Sequence, residues 1–187
     1  MIIDMHAHPW LMNEAFKTSQ AIEISKKEMG WGLMSGHDMQ MTRIELKYAK
    51  VDKMVLLPLD LTTTRKVQIP DNETIYKLVQ DNQDIFIGFA SVDPYRKDRM
   101  IELEKAFDQY HLSGLKLNPS KQHFYPSDPM MNEIYEGLAA RTGGKINIAV
   151  AGPARAGKSA FVRRFSEMAF PQRASLSEEN GCDSASC

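Results

Sequence analysis

The chain has 187 residues with 43% apolar and 25% charged side chains and a formal net charge of −1, which suits one soluble domain, or one domain and a fragment, with a real core. That balance gives no basic face for nucleic acid or an anionic membrane, and no run of about eighteen apolar residues could span a bilayer. No secretory leader is visible, and Cys182 and Cys187 lie together in the last six residues, so they read as free thiols of a cytoplasmic protein.

The chain opens MIIDMHAHP, an apolar start followed by Asp4, His6 and His8 and stopped by Pro9. Side chains alternate along a strand, so His6 and His8 share one face at its C-terminal end, where two imidazoles can hold a divalent metal. Residues 15–29 form a charged helix, and Gly30, Gly32 and Gly36 mark a loop. A helix over 38–50 carries Met41, Ile44, Leu46 and Tyr48, with Asp38 as its cap. VDKMVLLPL at 51–59 is a second strand, and 62–70 is polar and irregular. Asp71 or Asn72 caps a helix to about 80 with Ile75, Leu78 and Val79 on one face.

IFIGFASV at 85–92 is the clearest strand, ended by Asp93 and Pro94. A helix over 98–110 repeats Ile101, Leu103, Ala106, Phe107 and Tyr110. GLKLN at 114–118 is a fourth strand, a loop follows from 120 to 129, a helix covers 130–141, and KINIAVA at 145–151 is a fifth strand. Strands separated by helices imply βαβ units and a parallel sheet buried on both faces. The fold class is therefore α/β: an incomplete TIM-barrel-like parallel array of about five βα units, since a whole barrel takes about 250 residues.

Residues 1 to about 138 resemble the amidohydrolase-related (β/α)8 barrels. The resemblance is carried by IIDMHAHPW, by FIGFASVDPYRKDRMIELEKAF, and by GLKLNPSKQHFYPSD leading to IYEGLA. It implies that His6 and His8 bind a catalytic divalent metal, zinc or manganese, with Asp4 orienting an imidazole. It also implies a hydrolase of C–N or related bonds, or an enzyme acting on small carboxylic acids, with a small-molecule substrate. Further ligands in that family come from later strands, whereas the fifth strand here ends Ala149-Val150-Ala151-Gly152. Lys116 stands where some members carry a carboxylated lysine; by itself it reads as a lysine reaching solvent or pairing a carboxylate. His37, His111 and His123 are the remaining histidines available to complete a ligand set.

Residues 152–159, GPARAGKS, match G-x-x-x-x-G-K-[ST], between a strand and a helix over 159–170. Gly152 and Gly157 let backbone N–H groups face a phosphate chain, Lys158 reaches the β/γ-phosphates, and Ser159 ligates Mg²⁺ of bound ATP. Residues 139–172 resemble the P-loop start of the stage IV sporulation protein A family, which implies a nucleotide partner and a role in assembly. The segment lacks the later aspartate and water-positioning residue that hydrolysis needs. The organisation expected is thus a partial barrel (1–138), a P-loop strand and helix (139–172) and a disordered tail (173–187). Such a layer leaves exposed sheet edges and a tendency to self-associate. A metal-dependent hydrolase, an ATP-binding module, and a joined or truncated gene product without activity of its own are the three readings.

Overall fold

The structure, a computed structural model, describes residues 1–9, 13–16, 19–30, 36–142 and 148–150. In chain order these form β1 (Ile3–Ala7), α1 (Ser19–Met29), α2 (Met39–Ala49), β2 (Lys53–Leu56), β3 (Leu59–Leu61), α3 (Thr62–Arg65) and β4 (Val67–Ile69). There follow α4 (Asn72–Asp81), β5 (Phe86–Gly88), β6 (Ala90–Ser91), α5 (Arg99–Glu104), β7 (Leu115–Leu117), α6 (Pro119–Gln122), α7 (Met131–Thr142) and β8 (Ile148–Val150).

β1 pairs in parallel with β2, β2 with β5, β6 with β7, and β7 with β8. β5 and β6 are one stretch interrupted at Phe89, whose N–H donates to the Leu56 carbonyl at 3.1 Å. The spatial order therefore follows the chain order through five parallel strand positions, as the alternation of apolar runs and helices predicts. The fifth position is filled from KINIAVA: Leu115, Lys116 and Leu117 stand opposite Ile148, Ala149 and Val150.

Alternation along the strands makes two apolar layers. Leu56, Phe86, Ala90, Leu115 and Leu117 pack against Ile75 and Leu78 of α4, Leu103 of α5, and Ile134 and Leu138 of α7. On the opposite, inner face Val55, Leu57 and Phe89 form a separate cluster with Ile3 and Ile87. The helix starts follow from sequence chemistry. Asp38 accepts from the Met41 N–H at 2.9 Å, and Asp71, rather than Asn72, accepts from the Thr74 N–H at 2.8 Å.

Three segments depart from the sequence reading. Pro58 lacks the N–H that would continue the parallel ladder, so the second strand stops at Leu56 and the chain turns outward. The stretch read as irregular then forms an antiparallel hairpin, with Leu59, Asp60 and Leu61 opposite Ile69, Gln68 and Val67. Its apolar side, Leu59, Leu61 and Ile69, forms a small core of its own. The loop after the fourth strand begins with the one-turn α6, where Asn118 caps at the Lys121 N–H and Pro119 opens the helix. The helix of 98–110 widens into a π turn over Lys105–Gln109. The P-loop residues Gly152, Gly157, Lys158 and Ser159, the helix that follows them and the tail 173–187 lie outside the described residues.

Candidate metal centre

His6 and His8 meet because of a bulge. Ile3 lies opposite Lys53 and Asp4 opposite Met54, but Ala7 lies opposite Leu56, so β1 spends three residues where β2 spends two. Ile3 packs on the inner face with Val55 and Leu57. Strict alternation from Ile3 would turn both histidines toward the helices. The extra residue restores the inner face to them, because Ala7 now shares the helix-facing row with Leu56. The Asp4 carboxylate accepts from the His6 backbone N–H at 2.9 Å, across the bulge. Asp4 thus fixes the backbone that carries the pair, not an imidazole as the sequence suggests.

The ring that is oriented is that of His8, and a carbonyl does it. His8 Nδ1 lies 2.9 Å from the Leu57 oxygen. A carbonyl only accepts, so Nδ1 carries the proton and Nε2 presents its lone pair. His6 Nε2 lies 2.9 Å from that atom, and the two rings meet edge to face. Burial pushes the His8 pKa down to about 4, with the Lys116 charge acting in the same direction and the Leu57 contact opposing both. The imidazole is therefore neutral at ordinary pH, the form that binds metal. Two nitrogens each about 2.1 Å from one tetrahedral zinc ion stand about 3.4 Å apart. The pair would ligate a divalent metal after opening by about half an ångström and moving the His6 proton from Nε2 to Nδ1, so that both lone pairs face the ion.

Lys116 sits in the same wall. Its neighbours Leu115 and Leu117 pack toward the helices, so Lys116 faces inward, beside Ser91 of the neighbouring strand. It is 1% exposed, which overturns the expectation of a lysine reaching solvent, and no carboxylate pairs with it among the described residues. Burial, reinforced by the charge of Lys121, pushes its pKa down to about 7.

The other histidines do not join the pair. His111 and His123 are exposed in left-handed backbone conformations, and the half-buried His37 offers its carbonyl to the Asn13 N–H. Among the described residues no group of three or more His, Cys, Asp or Glu could hold a metal.

The buried polar network beside the site is what sequence reasoning missed. Asp60 accepts from the Thr62 N–H and hydroxyl, from the Asp93 N–H and from Arg96. Asp93 accepts from the Thr63 N–H and hydroxyl and from the Tyr95 N–H. Gln122 donates to the carbonyls of Asp60 and Val92. The available signal is an aspartate directly after an apolar strand, occurring twice, each time followed within three residues by threonine or arginine. The network ties the segments that leave the second, third and fourth strand positions to one another.

A parallel βα array whose spatial order follows its chain order is the wall of a TIM-barrel-like fold. The amidohydrolase family model matches residues 3–174, and the chain belongs to the amidohydrolase family. Among solved structures, a TIM-barrel protein from Bordetella bronchiseptica aligns with a TM-score of 0.62 at 13% identity, over 89% of this chain and 63% of that one. 4-Oxalomesaconate hydratase from Rhodopseudomonas palustris gives 0.55 at 22%, over 92% and 57% of the two chains. 5-Carboxyvanillate decarboxylase from Sphingomonas paucimobilis gives 0.53 at 18%, over 86% and 55%. At such identities the likeness is one of fold, and the chain spans between 55% and 63% of these three proteins. A stretch of 38 residues is 55% identical to stage IV sporulation protein A of Clostridioides difficile (strain 630), covering 20% of this chain and 8% of that protein.

Proposed function

We propose that the protein is a metal-dependent, hydrolase-like enzyme for a small molecule, with His6 and His8 as two of the metal's ligands. The observation that carries the reading is the convergence of the two Nε2 atoms at 2.9 Å on the inner face of a parallel barrel wall. Zinc suits a site built on imidazoles, whereas manganese would need oxygen ligands to complete its shell. When bound, the metal supplies an activated water or polarises a substrate oxygen. The chain's own contribution is to hold His8 neutral by burial and in one tautomer through Leu57, and to hold the backbone of His6 through Asp4. The hydratase and decarboxylase among the similar folds favour a small carboxylic acid over an amide as substrate.

Chelator-treated protein titrated with Zn²⁺ or Mn²⁺ tests the reading. Saturation at a hundred times the dissociation constant stabilises a fold by about 2.7 kcal/mol, which a thermal melt detects. Loss of that shift in His6→Ala with His8→Ala supports the assignment. An equal shift in the double variant refutes it. Nothing among the described residues favours the ATP-binding reading over this one.

A further inference from the structure

Lys116 is a buried lysine whose amine has no hydrogen-bond partner among the described residues. Beside it on the neighbouring strand is Ser91, itself engaged, its hydroxyl accepting from the Asp60 N–H at 3.1 Å. The apolar inner cluster of Val55, Leu57 and Phe89 belongs to the same face. Among the described residues no hydrogen bond or ion pair engages the Lys116 side chain, although the residue is 1% exposed. A buried ammonium left so is costly, and a chain that keeps one gains from it only if the amine reacts or receives a ligand. We propose that Lys116 is a nucleophile that forms an imine with a small carbonyl compound bearing a carboxylate, such as a 2-oxo acid.

The surroundings suit that chemistry. Lys116 lies between two buried leucines on a wall that offers its amine no carboxylate among the described residues, and burial and then Lys121 lower its affinity for a proton. A neutral amine is the reactive form, and Lys121 offers a positive charge for the carboxylate of the incoming molecule. In the reaction the Nζ lone pair attacks the carbonyl carbon and the C=O π pair moves to oxygen. One proton passes from nitrogen to that oxygen, giving a carbinolamine. A second N–H proton and the hydroxyl group then leave as water, and a C=N bond remains. No electrons are gained or lost, so no redox partner is needed.

This inference is independent of the metal and is tested on the full chain after chelation. The protein is incubated with glyoxylate, the smallest such acid, and cyanoborohydride near pH 7, and the modified lysines are located by peptide mass. A carboxymethyl group at Lys116, about tenfold above any exposed lysine and lost when urea unfolds the chain, is the expected result. Lys121→Gln should lower that yield, and Lys116→Met should abolish it while retaining the metal-dependent thermal shift. Labelling confined to exposed lysines overturns the proposal. So does a bicarbonate-dependent carbamate on Lys116, seen by carbon NMR, that blocks glyoxylate.

Discussion

Replacing Lys116 with methionine should stabilise the protein, by an amount that depends on pH in one direction. Methionine keeps the length and volume of the side chain and removes the charge. Folding lowers the Lys116 pKa from 10.5 to about 7, chiefly by burial. A difference of that size corresponds to about 5 kcal/mol between charged and neutral forms. Between pH 7 and 10.5 the unfolded chain holds the proton and the folded chain does not, so wild-type stability rises with pH across that window. Below it both states are protonated and the full penalty stands; above it the penalty is gone. Urea unfolding of both proteins at several pH values, followed by circular dichroism, reads the difference. The advantage of Lys116→Met should be largest near pH 6, about 3–5 kcal/mol, and should shrink steadily toward pH 10.5. A difference that stays constant across the range refutes the burial argument.

Arg96→Leu removes the cation beside Asp60, whose side chain is 2% exposed, and should cost about 3–5 kcal/mol in urea unfolding. Adding Asp60→Asn should recover part of that loss, because the uncompensated charge is then gone. Gly88→Ala places a methyl group 2.8 Å from Leu112 Cδ2 and 2.9 Å from Ile75 Cγ2, and should lower stability by about 1–3 kcal/mol. Asp4→Ala leaves the His6 N–H without its acceptor. Calorimetric titration should show metal affinity falling about tenfold with the fold intact, and unchanged affinity would remove Asp4 from the site.

The sheet was legible because its signals are long or doubled. IFIGFASV and GLKLN are apolar runs closed by proline, and Asp38 and Asp71 sit where helix caps are wanted. The hairpin of Leu59–Leu61 and Val67–Ile69 was not legible, since three residues of alternation are too few to separate from a loop. The pairing of His6 with His8 follows from period two, but the face they occupy does not. That face is set by a bulge, which depends on how β1 matches β2 and leaves no mark within either strand. Lys116 was misjudged for a related reason. GLKLN shows a lysine between two leucines, and only a second covered face distinguishes a solvent-facing lysine from a buried one.

The charge state of the inner wall argues for what it is built to receive. Its carboxylates are already spent: Asp60 on Thr62 and Arg96, Asp93 on Thr63 and Tyr95. Its basic groups are driven toward neutrality, His8 to a pKa of about 4 and Lys116 to about 7, by burial in each case. At His8 and Lys116 the wall thus favours the uncharged nitrogen. A neutral imidazole such as His8 takes a metal ion at its bare nitrogen, and a neutral amine takes a carbonyl carbon on the same terms. On the proposed reading the wall would take a cation at β1 and a carbonyl carbon at β7, and a single small molecule with both a metal-binding oxygen and a carbonyl group would satisfy both.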